Sequence, residues 1–246
     1  MPYKILVLTF VYLISSGFVY ADDKAADLLK KVDELYRAHS AVATMEMKVV
    51  TPNWQRTMTL QSWSRGLEDT FIRILSPKKD RGVATLKLDK EMWNYFPKIN
   101  KVIKVPPSMM MGSWMGSDFT NDDLVREVSL VEEYHVSLYE GNSIYTLVLM
   151  PKNDTVTVWG KIEIDVVKNS LMPIEQRYFD EKQQLVRSMV FDKVKPFSGR
   201  LIPSRMTMIP HNKQGNSTTV EYINMTFDET LPSHIFSLRH LQKRFN

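Results

Sequence analysis

The spacing of apolar residues along the chain changes near residue 40. Between Ala25 and Tyr36 they recur at intervals of three and four, directly after the acidic pair Asp22 and Asp23. This spacing predicts an amphipathic helix, and acidic residues in its first turn suit the partial positive charge of a helix N-terminus. From residue 43 to residue 49 the interval becomes two, which is the period of a strand with one buried face. The chain is therefore predicted to pass from helix to sheet at this point.

Alternating or β-branched runs continue over most of the remaining chain. Turn-forming residues separate them, as at 97–100, 140–142 and 213–216. Because short turns join the runs, the pattern predicts an antiparallel meander in one domain, either a single large curved sheet or a barrel. The predicted strands cover residues 43–49, 57–63, 70–75, 83–88, 92–96, 102–105, 134–139, 145–150, 155–166, 174–179, 185–191, 201–209 and 218–227.

The C-terminal residues return to helical spacing. Ser233 is placed to cap a second helix, and Lys243 and Arg244 would suit its C-terminal end. The apolar face of this predicted helix consists of Ile235, Phe236, Leu238, Leu241 and Phe245.

Residues 106–127 interrupt the strand pattern with a sequence rich in Gly, Ser and Met. A stretch of this length without strands in a regular sheet is usually a lid or a binding loop. If residues 109–115 are helical, side chains four positions apart would form one soft apolar face, Met110 with Trp114 and Met111 with Met115.

The acidic residues between Asp118 and Asp123 resemble the start of a calcium-binding loop. The sixth position of such a loop requires Gly and the twelfth requires Glu, whereas this chain has Asp123 and Ser129 there. We therefore interpret residues 118–124 as a turn into a short helix, with Thr120 or Asn121 as its cap.

The first 21 residues have the organisation of a secretory signal peptide. Lys4 provides a positive charge, residues 5–18 are mostly apolar, and small residues precede a cleavage site after Ala21. The apolar run is shorter than the roughly 20 residues of a membrane-spanning helix. The sequence therefore predicts residues 1–21 as a signal peptide and residues 22–246 as one exported domain.

Composition excludes several classes of protein. The 246 residues include 32 Lys and Arg, 28 Asp and Glu, 15 Met and no Cys. Without Cys the chain cannot form disulfides, zinc ribbons, a thiol nucleophile or the lipidated N-terminus of a bacterial lipoprotein. Basic residues are interspersed with acidic ones, which disfavours binding to nucleic acid. No catalytic or metal-binding motif is present, so we expect no enzymatic activity, no metal and no cofactor.

Large and adaptable apolar side chains concentrate between residues 93 and 119. They are compatible with an ordinary core in which Met fills irregular gaps, or with a cavity for a flexible apolar ligand. The second interpretation makes eight residues candidates for lipid binding: Trp63, Trp93, Tyr95, Met110, Met111, Trp114, Met115 and Phe119.

The segment EMWNYFPKINKVIKVPPSMMMGSWMGSDFTNDDL, from Glu91 to Leu124, resembles the signature of the LolA-like outer-membrane lipoprotein-sorting family. Within that family it is most similar to the branch associated with RND-type exporters. The C-terminal LPSHIFSLRHLQKRF resembles the closing helix of the same family. Together with the signal peptide, the first helix and the number of strands, the resemblance extends over nearly all of residues 22–246.

The resemblance implies a mainly β fold of the α+β type: a strongly curved antiparallel sheet that forms an incomplete β-barrel, with helices as a lid over the concave face. It also implies a monomeric periplasmic carrier that binds lipoprotein acyl chains or other lipids and moves them toward the outer membrane. The implied partners are lipid or acylated lipoprotein, an inner-membrane transporter, of the RND type in this branch, and an outer-membrane acceptor. The alternative is a periplasmic binding or sensing module, or an accessory subunit of an RND-type exporter that carries no lipid.

Overall fold

One antiparallel sheet of thirteen strands dominates the computed structural model, which describes residues 22–36, 38–125, 130–155 and 157–243. Strands β1 to β6 follow one another across the sheet, as do β7 to β13, and β1 pairs with β13 to join the two halves. The sheet is not closed, since β6 and β7 form its two edges. The strands are β1 Ser40–Val50, β2 Gln55–Arg65, β3 Asp69–Ser76, β4 Ala84–Leu88, β5 Glu91–Phe96, β6 Lys101–Lys104, β7 Tyr134–Glu140, β8 Ile144–Pro151, β9 Lys161–Val167, β10 Pro173–Phe179, β11 Leu185–Phe197, β12 Arg200–Pro210 and β13 Ser217–Phe227.

The two-residue period of β1 determines which side chains face inward. Ala43, Met45 and Met47 are buried, whereas Glu46 and Lys48 are exposed. A slip of one residue would expose the whole apolar set, so this alternation fixes the register of β1 against β2 and β13.

The prediction of a mainly β fold with antiparallel strands in one sheet is confirmed, and two strand boundaries are wrong. The predicted strand 155–166 begins only at Lys161, where pairing with β10 starts and pairing with β8 follows from the next residue. Strand β11 extends to Phe197, six residues beyond the prediction, because residues 192–197 pair with the start of β12 in a hairpin. Pairing with β12 therefore makes residues 192–197 a strand, although their local sequence is rich in charge.

The predicted first helix is present as α1, Asp22–Asp33. Its buried residues Ala25, Leu28 and Leu29 pack against apolar side chains of β7 to β10. Leu35 and Tyr36 follow the end of the helix and contact a different cluster, on β1, β2 and β13.

The predicted C-terminal helix from Ser233 is wrong as a continuous element. Residues Ser233–Ile235 form one turn of 3-10 helix, and a separate short helix, α4 Leu238–Leu241, is capped by Ser237, whose hydroxyl accepts a hydrogen bond from the backbone N–H of His240 at 3.1 Å. Phe236 has a non-helical backbone and is buried with Leu241 against Phe71 of β3. Burial of these side chains outweighs helix propensity over so short a segment. Arg244 and Phe245 lie outside the described residues.

Two further helices, α2 Asn121–Val125 and α3 Leu130–Glu133, lie between β6 and β7. In the described ranges, no helix has the length and apolar character needed to cross a membrane. The predicted signal peptide, residues 1–21, lies outside the described residues.

Candidate functional site

An apolar cavity of about 230 Å³ lies on one face of the sheet. Strands β1, β2, β3, β12 and β13 provide most of its wall, and residues 114–124 provide the remainder together with Tyr36. Apart from two serines, a threonine and two tyrosines, every lining side chain is apolar. The lining residues are Tyr36, Ala41, Ala43, Met45, Met47, Ser62, Ser64, Thr70, Ile72, Trp114, Phe119, Leu124, Met206, Val220, Tyr222 and Met225.

The two tyrosines do not introduce charge into the cavity. Their rings stack with centroids 5.9 Å apart, and the hydroxyl of Tyr36 donates to the carbonyl of Pro203 at 2.7 Å. Burial raises the pKa of Tyr222 to about 12 and that of Tyr36 still further. Both side chains are therefore neutral at physiological pH, and the wall carries no ionised side chain.

Residues 106–125, termed here the crossing segment, have a defined internal structure. The Thr120 hydroxyl accepts a hydrogen bond from the N–H of Asp123 at 3.1 Å, and the Asp123 carboxylate accepts one from the N–H of Thr120 at 2.8 Å. This reciprocal pair is a capping box at the start of α2, so of the two predicted caps, Thr120 and Asn121, the structure has Thr120. The amide of Asn121 donates to the carbonyls of Met109 and Gly112 at 3.0 and 3.2 Å.

The conditional prediction of a helix over residues 109–115 is wrong. The segment has separate 3-10 turns at Pro107–Met109 and Trp114–Gly116, and Met115 has a positive φ of 50°. Met110 and Trp114 therefore do not share a helical face. Gly116, at φ 75°, completes this turn in a conformation that glycine adopts without strain.

Trp114 anchors the crossing segment to the sheet. Only 2% of this residue is exposed, and its indole N–H donates to the hydroxyl of Thr85 on β4 at 3.1 Å. That hydroxyl in turn donates to Asn94 Oδ1 on β5 at 2.7 Å. A buried aromatic side chain with its polar atom satisfied fixes both position and orientation.

Three further contacts hold the crossing segment. The guanidinium of Arg56 on β2 donates to the carbonyl of Met115. The hydroxyl of Thr218 on β13 donates to the carboxylate of Asp118 at 2.7 Å and accepts from the N–H of Asp118 at 2.9 Å.

The third contact is a bidentate ion pair between Asp123 and Arg187 of β11, with N–O distances of 2.8 and 2.6 Å. Arg187 is 4% exposed. Its guanidinium carbon lies 4.6 Å from the ring centroid of Trp159 and 4.3 Å from that of Tyr178. Burial alone would raise the pKa of Asp123, but the hydrogen bonds and charge of Arg187, with the hydrogen bonds of Thr120, hold it below its usual value. The carboxylate is therefore ionised at neutral pH.

The structure does not bring the eight candidate residues together in one place. Trp114 and Phe119 line the cavity, and Met115 lines an adjoining space. Met110 is half-buried and Met111 is 43% exposed, and neither belongs to the cavity wall. Lipid binding by the eight residues stays a prediction.

Trp63, Trp93 and Tyr95 belong to the opposite face of the sheet. They pack with Phe71 and the C-terminal residues in a separate cluster. Their strand neighbours Ser62 and Asn94 point to the cavity face, as the two-residue period requires.

Sequence reasoning missed the strand residues that form most of the wall, including Met45, Met47, Met206, Tyr222 and Met225. The alternation in β1 predicts that Met45 and Met47 are buried. It does not distinguish a filled core from a cavity, because both bury the same face of a strand.

We predict that Thr85→Val destabilises the protein by about 1–3 kcal/mol, because it leaves the buried Trp114 indole N–H and Asn94 Oδ1 without their shared partner while preserving side-chain shape. Chemical denaturation followed by tryptophan fluorescence measures this change. The matched control is Thr57→Val at an exposed position of β2, expected within about 0.5 kcal/mol of the wild type. Equal effects of the two substitutions would show that the hydrogen bond does not anchor Trp114.

The described residues contain no group of three or more His, Asp or Glu side chains arranged to hold a metal ion.

Solved structures with the same fold are similar to this chain over nearly its whole length. A DUF1329 family protein from Desulfovibrio piger has a TM-score of 0.80 at 20% identity, with 89% of this chain and 98% of that chain covered. A Vibrio parahaemolyticus domain assigned as an outer membrane lipoprotein-sorting protein has a TM-score of 0.76 at 20% identity, with coverage of 91% and 100%. A LolA superfamily protein from Nitrosomonas europaea has a TM-score of 0.72 at 22% identity, with coverage of 88% and 98%.

A comparison with curated proteins finds no match. A family model with the description "Uncharacterized protein" matches residues 66–243, which is more than half of the chain. The chain belongs to this family, and its fold is that of the LolA-like lipoprotein-sorting proteins.

Proposed function

We propose that this protein is a periplasmic lipid carrier that holds acyl chains in the cavity beneath the crossing segment. The observation that supports the proposal most strongly is the uncharged, methionine-rich wall of a cavity inside a LolA-like sheet. Unbranched Met side chains adapt to varied ligand shapes, so four of them around one cavity suit a flexible chain better than a rigid ligand.

Burial of an acyl chain provides enough free energy for this role. At about 0.8 kcal/mol per methylene, a chain of about sixteen carbons gains on the order of 12 kcal/mol by leaving water. A carrier of this kind needs a dry cavity and no covalent chemistry, because the lipid is moved unchanged.

The size of the cavity implies that the crossing segment moves when lipid binds. The volume of about 230 Å³ is below the roughly 300–1,000 Å³ of pockets that enclose drug-sized ligands. The segment is the part of the wall that can yield, because side-chain contacts with Arg56, Thr85, Thr218 and Arg187 hold it to the sheet, whereas backbone ladders hold the strands. In this proposal the sheet is an incomplete barrel, and the crossing segment and helices act as its lid.

The proposal includes the route of the lipid. Residues 1–21 would direct export to the periplasm, where the chain would act as a monomer. An inner-membrane transporter, of the RND type in this branch of the family, would load it with lipid or acylated lipoprotein, and an outer-membrane acceptor would receive the cargo. Transfer would follow differences in affinity along this route.

Extraction of lipid from vesicles tests the carrier function. Purified protein is incubated with vesicles of diacyl phospholipids, separated by size exclusion and assayed for bound phosphorus. We expect up to one diacyl lipid per protein molecule. A protein that emerges free of lipid would contradict the carrier function and favour the alternative of a binding or sensing module, or of an exporter subunit without lipid.

A further inference from the structure

A second space, of about 450 Å³, adjoins the apolar cavity and has a different lining. Trp54, Phe96 and Pro97 provide apolar surface, and Arg56, Lys79 and Lys98 provide positive charge. These side chains are suited to bind an anion beside apolar surface, whereas the neighbouring cavity has no charged side chain.

The charges in this space do not cancel. Its single acidic lining residue is Asp80, whose Oδ2 lies 3.9 Å from Arg56 Nη1. Within the described residues, neither Lys79 nor Lys98 forms an ion pair. Three cations against one carboxylate leave a net charge of two positive units facing the space.

Arg56 and Asp80 are not fully satisfied by each other. The Nε of Arg56 and the Oδ2 of Asp80 are buried without a hydrogen-bond partner among the described residues. Buried polar atoms are nearly always satisfied, so the Arg56–Asp80 pair is incompletely paired at the wall of the second space.

The second space lies directly beside the cavity on the same face of the sheet. Ile72 of β3 lines the cavity and Ile74 lines the second space, a separation of about 7 Å along the strand. On the crossing segment, Trp114 lines the cavity and the next two residues line the second space. A ligand with its chains in the cavity can therefore place its polar end in the second space.

We propose that this second space binds the phosphodiester headgroup of a glycerophospholipid whose acyl chains occupy the cavity. The inference rests on the proposed carrier function and specifies its cargo as a lipid with anionic phosphate. Arg56, held between the Met115 carbonyl and Asp80, contributes a fixed positive charge, while Lys79 and Lys98 contribute mobile point charges that can contact the phosphate. Trp54 and Phe96 would contact the glycerol and the first methylenes.

The test compares vesicles that present one species each of dioleoyl lipid: phosphatidylglycerol, phosphatidylethanolamine or diacylglycerol, the last two diluted into a neutral matrix. We expect the wild type to take up phosphatidylglycerol with roughly tenfold higher affinity than diacylglycerol. The double substitution Lys79→Gln/Lys98→Gln should reduce that preference to near equality while diacylglycerol uptake is kept. Lys30→Gln/Lys31→Gln, at two exposed positions of α1, removes the same charge elsewhere and should preserve the preference.

Two results would overturn the headgroup site while leaving the carrier function intact: equal affinity of the wild type for all three lipids, or an unchanged preference in the Lys79/Lys98 variant. Failure to take up any lipid would instead defeat the carrier function. In that case calorimetry with glycerol 3-phosphate assesses the anion site alone. Saturable binding that is lost in the Lys79/Lys98 variant would support the site, and its absence in the wild type would overturn it.

Discussion

Replacing Asp123 by alanine is expected to lower the free energy of unfolding by about 3–5 kcal/mol. Arg187 would remain 4% exposed between Trp159 and Tyr178 with no carboxylate to neutralise it. The substitution also removes half of the capping box with Thr120. Because Asp123 lies on the crossing segment and Arg187 on the sheet, the loss should first appear as local opening of residues 106–125, measurable by hydrogen exchange.

The control for this substitution is Asp192→Ala. Asp192 also forms a bidentate pair, with Arg205 at 2.5 Å for both contacts, but both side chains are substantially exposed. Exposed pairs contribute at most about 1 kcal/mol. If Asp123→Ala and Asp192→Ala destabilise the protein equally in urea denaturation, the buried pair does not hold the crossing segment.

We expect the Asp123–Arg187 ion pair to make the free energy of unfolding depend on pH. The pKa of Asp123 is lowered on folding, so the unfolded state binds a proton more readily than the folded state. The stabilisation is fully present above the ordinary aspartate pKa near 3.8 and is lost as the pH falls through the lower folded value. The Asp123→Ala variant should therefore lose less stability than the wild type when the pH falls from neutral to acidic.

The second large effect is expected from Ala43→Phe. Ala43 is 3% exposed and lines the cavity, so a phenyl ring there would occupy much of the 230 Å³ that the acyl chain requires. We expect the affinity for a fluorescent long-chain fatty acid to fall at least about thirtyfold, equivalent to about 2 kcal/mol. The cost in stability should stay within about 1–3 kcal/mol, because the ring enters existing space.

The matched control is Thr44→Phe, one position along the same strand. Successive side chains of a strand point to opposite faces, so this ring would lie away from the cavity on a partly exposed position. Its affinity should be close to that of the wild type. Equal affinities of the two variants would show that the probe binds outside the cavity.

The sequence predicted the architecture well because the fold depends on local periodicity. The change from helical spacing at Ala25–Tyr36 to alternation at residues 43–49 marks the boundary between α1 and β1, and the turns at 97–100 and 140–142 lie where predicted. The pairing of β1 with β13 joins residues as far apart in sequence as Ala41 and Phe227. No local pattern in either strand specifies that contact.

The candidate site was predicted less completely. The composition of residues 93–119 drew attention to aromatic and Met side chains, yet Trp93 and Tyr95 belong to the opposite face of the sheet from Trp114. Clustering in sequence does not specify the face of a strand to which a side chain points. The contacts of Trp114 with Thr85, and of Asp123 with Arg187, depend on how the crossing segment folds back onto the sheet.

The transfer of a fluorescent diacyl phospholipid from donor to acceptor vesicles tests the central claim most directly. Donor vesicles contain the labelled lipid with a quencher, acceptor vesicles contain neither, and transfer is followed as fluorescence recovery at increasing protein concentration. We expect the transfer rate to rise in proportion to the concentration of the wild-type protein and of the Thr44→Phe variant. With Ala43→Phe the rate should stay near that measured without protein. A rate that does not respond to the wild-type protein, or that responds equally to Ala43→Phe, would contradict a carrier that uses this cavity.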